Sequence, residues 1–331
     1  MTKITVVSST LRDGSHGIRH QFTREQIKQY SLRAEKAGVP ILVVGHGNGL
    51  GASSLHLGRS LLSDRQMLRA TKGQLKKTKL AAFAIPGFAT LDDIDMAISE
   101  GVEVMFIASH CTEATVTKQY IEYCVKRKIT TYGVLMMSHM IIPTELARQA
   151  ALMQNYEANG VLYMDSAGAL LPWEVYERAR HLNEGLDIPF GFHPHNNLGL
   201  AVFNGLHAVT ACATILDGTS RGLGAGAGNL PLEIIVPLLH KLGYTTGIDE
   251  DKLMDCAEYI RSQFPPQDVT PLSITSGLAG VFSGFKPLVE KAAKEYGVSG
   301  HEIFRELGRR KVVAGQEDAI IEVARGLSER K

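Results

Sequence analysis

Ile4-Thr5-Val6-Val7-Ser8-Ser9-Thr10-Leu11-Arg12-Asp13-Gly14-Ser15-His16 is a β-branched run that stops on charged and titratable side chains. A doubly wound nucleotide-binding sheet would close its first strand with G-x-G-x-x-G, so that backbone could approach a pyrophosphate. An arginine, a carboxylate and a histidine stand there instead. That substitution turns the reading toward a barrel, where chemistry gathers at the C-terminal ends of strands.

The rest of the chain repeats the opening unit. Thr23 and Gln26 are spaced as a capping box and begin a helix running through Lys36, with Gly38 as its stop. Strands are then expected over 41–44, 80–85, 102–107, 130–137, 161–164, 190–193 and 214–217. Helices are expected over 64–77, 91–99, 115–128, 143–158, 172–183 and 199–211, with another beginning near 230. Eight strands separated by helices favour a closed parallel α/β barrel, (β/α)₈, over an open sheet. The rhythm ends near Gly247, and beyond it only helical periodicity remains, as in Leu253-Met254-Ala257-Ile260, with breaks at Pro265-Pro266 and Pro271. The expected organisation is a (β/α)₈ TIM barrel over 1–247 followed by a small helical C-terminal domain over 248–331.

Composition narrows the function. With 35 basic against 34 acidic residues and a net charge of +1, no polyanion partner is called for, and Arg309-Arg310-Lys311 reads as a solvated helix end. No nucleic acid is expected. The four cysteines, Cys111, Cys124, Cys212 and Cys256, form no C-x-x-C pair and suit reduced thiols. The first residues lack a signal-peptide pattern, and no apolar run reaches the length of a membrane span. A cytoplasmic protein is expected.

Residues remote in sequence converge at a barrel mouth. Asp13 closes the first strand, and His193 and His195 close the seventh at a spacing that puts both imidazoles on one face. A carboxylate with two such histidines makes a metal site with positions left for substrate, and mixed N/O donors suit Mn²⁺, Co²⁺ or Mg²⁺, with catalytic Zn²⁺ also compatible. The plain alternative is a structural histidine pair hydrogen-bonded to Asp13. A Schiff-base route finds no lysine at a strand's C-terminal end, because Lys3 and Lys79 precede their strands.

Thr10-Leu11-Arg12-Asp13-Gly14 together with His193-Pro194-His195-Asn196-Asn197 resembles the metal-dependent barrel lyases and synthases that include hydroxymethylglutaryl-CoA lyase and isopropylmalate synthase. Five further stretches resemble, more narrowly, the 4-hydroxy-2-oxovalerate aldolases. They are Asp13-Gly14-Ser15-His16, Ser109-His110-Cys111-Thr112-Glu113-Ala114, Leu135-Met136-Met137-Ser138-His139-Met140, Gly224-Ala225-Gly226-Ala227-Gly228-Asn229 and Gly315-Gln316-Glu317-Asp318. The similarity runs from residue 9 to about 324.

The resemblance implies a class II aldolase that cleaves or forms a 4-hydroxy-2-oxo acid, giving pyruvate and an aldehyde through a metal-stabilised pyruvate enolate. It carries over Asp13, His193 and His195 as metal ligands, Mn²⁺ first among the metals, with Arg12 beside the developing enolate and His16 as general base toward the 4-hydroxyl. The expected substrate contacts are Arg12, Ser166, Asn197, Arg221, Asn229 and Phe282. It also implies an oligomer, an acylating aldehyde dehydrogenase partner contacting the C-terminal domain, and a place in aromatic hydrocarbon catabolism.

Two positions depart from the family pattern: Phe282 stands where a substrate-facing tyrosine is usual, and Arg221 where a small residue is usual. Arg221 is either a surface residue or a site for an extra anionic group on the substrate. The rival readings are a Claisen-type acyl-CoA lyase or synthase on the same metal site, and a scaffold barrel without activity. The lyase branch needs a cysteine in the glycine-rich loop, and 222–229 has none. That loop is expected to form a turn rather than a phosphate cradle, while Cys111, without an evident histidine partner, His46 and His139 are expected to be structural.

Overall fold

The computed structural model describes residues 2–330; Met1 and Lys331, the outer ends of the two expected domains, lie outside the described residues. The β-branched runs form β1 (Thr5–Leu11), β2 (Ile41–Val44), β3 (Lys79–Ala84), β4 (Val104–His110), β5 (Thr130–Met136), β6 (Gly160–Asp165), β7 (Phe190–Pro194) and β8 (Ile215–Gly218). Each strand pairs in parallel with its successor, and β8 pairs back onto β1, closing the barrel. The connections carry α1 (Gly14–Gly17), α2 (Arg24–Ala37), α3 (Asp64–Lys72), α4 (Leu91–Ser99) and α5 (Lys118–Lys126). They continue with α6 (Pro143–Asn155), α7 (Pro172–Gly185), α8 (Ala201–Thr210) and α9 (Leu232–Lys241).

Local sequence accounts for the boundaries. Both halves of the Thr23/Gln26 capping box form, and Gly38 ends α2 at φ +76°, a left-handed conformation that glycine adopts without a Cβ penalty. The strands are buried on both faces, which is why they read as continuous apolar runs. Val7, Ile41, Phe83, Phe106, Val134, Leu162 and Ile215 fill the interior, while Val6, Leu42, Leu80, Ile107, Leu135, Val161 and Phe192 pack outward under the helices. Gly191 is required between these layers, since a Cβ there would lie 2.6 Å from that of Ile215.

Beyond the barrel run α10 (Glu250–Gln263), α11 (Pro271–Leu278), α12 (Lys286–Tyr296), α13 (Gly300–Arg309) and α14 (Asp318–Ser328). Leu253, Cys256 and Ile260 of α10 join the core that α2 shares, and Arg33 of α2 stacks on Tyr259 at 4.4 Å. A separate core built on Val281, Phe285, Val289, Ile303, Phe304, Leu307, Ile320 and Val323 holds the last four helices together. The two cores change over between Phe264 and Leu272, across the proline break. Among the described residues no helix is long and apolar enough to cross a membrane.

Candidate active site

Asp13 leaves β1 and enters the one-turn helix α1, so its carboxylate faces the barrel mouth. His193 lies within β7 and His195 directly follows it. Ligand atoms of the three residues lie within 4.8 Å of one another, and all three are buried. Their remaining contacts decide what they can hold. Oδ1 of Asp13 accepts Asn229 Nδ2 at 2.7 Å and the Ala225 N–H at 3.2 Å, and Oδ2 accepts Arg12 at 2.9 Å. His193 Nδ1 donates to Asp217 at 2.8 Å, which leaves Nε2 bare, and His195 Nδ1 is equally without a partner.

A bare His193 Nε2 and a second buried imidazole, His195, beside a carboxylate fit a divalent cation. Asn229 Oδ1 is a third buried atom without a partner next to this set. Protonation states agree with that reading. Burial pushes His195 down to about 3 against the pull of Asp13, so its lone pair stays free. Burial would raise Asp13, yet Arg12, His195 and His193 together hold its carboxyl far below the ordinary range.

Asp217 is a functional residue that the sequence reading missed. It accepts the His193 Nδ1–H, accepts Ser9 Oγ at 2.9 Å and lies 3.8 Å from Arg12, so it fixes which imidazole nitrogen is presented. Its only sequence signal is a carboxylate at the close of the eighth apolar run. Asp217→Asn should therefore weaken Mn²⁺ binding by about 10–100-fold, as loss of a partner behind a metal-bound histidine does. Competition titration against a fluorescent chelator measures this, and an unchanged dissociation constant would sink the assignment.

Arg12 is 4% exposed, stacks over Phe83 at 4.6 Å, donates to Gly47 O at 3.2 Å, and so holds one orientation. His16, carried on α1, faces Gly47 so closely that a Cβ there would sit 2.3 Å from its Nε2. Gly47→Ala should accordingly displace the imidazole and lower turnover without removing a titratable group; turnover equal to that of the parent chain would show that the contact does not position His16. Burial lowers the His16 pKa, Asp13 opposes that, and the ring is neutral near pH 7. Behind it His20 and His46 stack at 3.6 Å, and both nitrogens of His46 are bonded, to Gly58 O and to the Asn48 N–H.

Asn229 is thus placed against Asp13, and the glycines around it form a turn packed on that carboxylate. A Cβ on Gly224 would lie 2.5 Å from Asp13 Oδ1. Of the other expected contacts, Arg221 lies apart from this set. Arg221 is exposed, has φ +60° with its N–H held by Glu233, and lines a 120 Å³ cleft with Arg261 and Phe264 that includes none of the metal-site residues. Ser166 and Asn197 bond to the C-terminal segment, and Phe282 lines two cavities at the mouth. Cys111 does have a histidine ring beside it, His110 at 3.9 Å, but burial pushes the thiol up to about 12. Fully buried, the thiol donates to Met137 O at 3.2 Å and packs in the core.

A model of the HMGL-like family matches residues 3–260, and one for a DmpG-like communication domain matches 267–329. A 4-hydroxy-2-oxovalerate aldolase of Pectobacterium atrosepticum is 50% identical over 331 residues, covering 99% of this chain and 96% of the relative. The enzyme of the same name from Serratia proteamaculans is 47% identical, covering 97% of each. Among solved structures, the carboxyl transferase domain of Rhizobium etli pyruvate carboxylase superposes with a TM-score of 0.84 at 14% identity, over 99% of this chain and 60% of that one. The N-terminal domain of a putative aldolase from Bacteroides vulgatus gives 0.73 at 19% identity, over 89% of this chain and 98% of that one, and at these identities both likenesses concern the fold alone. The candidate metal-ligand set at the barrel mouth, the family models over both parts of the chain and full-length identity near one half all agree: the chain belongs to the 4-hydroxy-2-oxovalerate aldolase family.

Proposed function

We propose that the chain is a divalent-metal-dependent aldolase that interconverts a 4-hydroxy-2-oxo acid with pyruvate and an aldehyde. The observation that carries this is the convergence of Asp13, His193 and His195, whose ligand atoms lie within 4.8 Å of one another with His193 Nε2 bare, flanked by Arg12 and His16. Mn²⁺ is the proposed metal, with Co²⁺ or Mg²⁺ as alternatives for the same donors. Asp13, His193 and His195 would hold the cation, which would supply a Lewis acid for the substrate's 2-oxo group. Arg12 adds a permanent, oriented positive charge on the same side. His16, with a hydrogen bond to the Gly47 backbone on one side of its ring, takes the 4-hydroxyl proton on the free nitrogen. The proton goes to His16, the bonding electron pair stays with the three-carbon half, and the aldehyde leaves.

The barrel is the proposed catalytic domain and the helical C-terminal domain a proposed contact for an acylating aldehyde dehydrogenase. Exposed Leu278 and Ile274 on α11 give that domain an apolar outer face. The matched communication-domain model supports this reading. A reducing cytoplasm suits the four free cysteines, three of them buried. The test is pyruvate release by purified protein with Mn²⁺ from a panel of 4-hydroxy-2-oxo acids. Absence of pyruvate from every one, alongside turnover of an acyl-CoA, would overturn the aldolase reading in favour of Claisen chemistry.

A further inference from the structure

The C-terminal region reaches back over the barrel mouth through residues 273–285, and three strand ends receive it. Beyond β5, His139 Nε2 donates to Gly280 O at 3.0 Å. Beyond β6, Ser166 O accepts the Ser283 N–H at 3.0 Å. Beyond β7, Asn197 is used twice, its Oδ1 accepting Ser283 Oγ at 3.0 Å and its Nδ2 donating to Ser273 O at 3.3 Å. Asn197, Ser273 and Ser283 are all fully buried. Gly280 permits the approach, since it has φ +65° and a Cβ there would come within 3.1 Å of His139.

Phe282 lies between these anchors, one residue before Ser283 and two after Gly280. It lines both a cavity of 290 Å³ that contains His16 and a cavity of 280 Å³ walled by Ile85, Phe88, Val116 and Met136. Only Asn48 is shared with it by the two. The ring is seated tightly: a Cβ on Gly284 would lie 2.5 Å from its Cε1, and Phe285 meets it edge-on at 5.6 Å. Both functional groups of the Asn197 amide are engaged with the segment that carries this ring.

We propose that Asn197 and His139 are positioning residues that hold Phe282 as a wall between the two cavities, and that this wall sets the length of aldehyde the site accepts. The inference rests on the aldolase reading, which puts the departing aldehyde beside His16 in the first cavity. With the wall fixed, a chain growing from C4 meets the Phe282 ring. With it loosened, the apolar second cavity opens to further methylenes, each worth about 10-fold or more in specificity in an apolar pocket.

The experiment uses the full chain with Mn²⁺ and measures condensation of pyruvate with straight-chain aldehydes from acetaldehyde to hexanal. Hydrogen–deuterium exchange at pyruvate C3 is followed by NMR as a readout of the metal side alone. Phe282→Ala, Asn197→Ala and His139→Ala should each raise the hexanal-to-acetaldehyde ratio of kcat/KM, by at least about 10-fold for the first. In His139→Ala, whose residue is not among the expected substrate contacts, pyruvate exchange should stay at the parent rate. Asn197→Ala added to Phe282→Ala should change the ratio no further, because both act on one wall. His139→Gln, which keeps a donor for Gly280 O, should restore the parent ratio.

A ratio unmoved by Asn197→Ala and His139→Ala would overturn the proposal. So would Asn197→Ala lowering pyruvate exchange and condensation in parallel, which would make it a direct contact of the pyruvate half. Should Asn197→Ala fold poorly, His139→Ala tests the same wall from outside the buried amide. A parent chain that condenses no aldehyde overturns the aldolase reading itself, and that arm tells the two failures apart.

Discussion

Asp13→Ala should abolish aldol cleavage and at the same time lower the stability of the metal-free protein by about 3–5 kcal/mol, the cost of breaking a buried ion pair from one side. Arg12 is 4% exposed, and its close carboxylate is Asp13 at 2.9 Å; the next, Asp217, stands at 3.8 Å. Removing Asp13 also leaves the Ala225 N–H without its acceptor and the Asn229 amide with Leu223 O alone. His195→Ala makes the contrast, because His195 Nδ1 has no partner to orphan. That variant should lose Mn²⁺ and activity while keeping far more of its stability. Urea denaturation of both variants after chelation, with bound metal measured separately, distinguishes the two effects. Equal midpoints for the two would show that the Arg12–Asp13 pair holds nothing together, and retention of bound metal by either would remove it from the ligand set.

Much of this site could be read before any coordinates. The candidate ligands stand at strand ends because a parallel barrel leaves its chemistry there, and the His193–His195 spacing follows from the two-residue period of an extended chain. The capping box at Thr23 and Gln26 announces α2 for the same local reason. What was illegible depends on register or on distant packing. Asp217 reaches His193 because β7 and β8 pair with Phe192 opposite Leu216, which sets residue 193 beside residue 217. No local pattern encodes that pairing. Asn197 reads as a substrate contact within a motif of ligands, yet its amide is occupied by Ser273 and Ser283, contributed by a separately cored helical region. Arg221 shows the converse: its place after the eighth strand suggested the site, and a left-handed backbone turns it onto an outer cleft.

His16→Ala should reduce turnover in the cleavage direction by about 10²–10⁴-fold, the usual contribution of a positioned general base, while Mn²⁺ affinity stays as it was. The ring is half-buried within the field of Asp13 and is not among the three residues whose ligand atoms converge, so its loss subtracts a proton acceptor rather than a ligand. Its pKa is lowered chiefly by burial, and Asp13 only partly restores it. A base must be unprotonated to act, so the rate should fall as pH drops through that lowered value. The acidic limb of the kcat profile therefore lies below the ordinary imidazole range, and a bound cation nearby moves it further down. In His16→Ala the residual rate should lack that limb. Exchange at pyruvate C3 takes no proton from a 4-hydroxyl and should fall much less than cleavage. A variant whose cleavage and exchange decline together, with the acidic limb intact, would move the role of base to another group at the mouth.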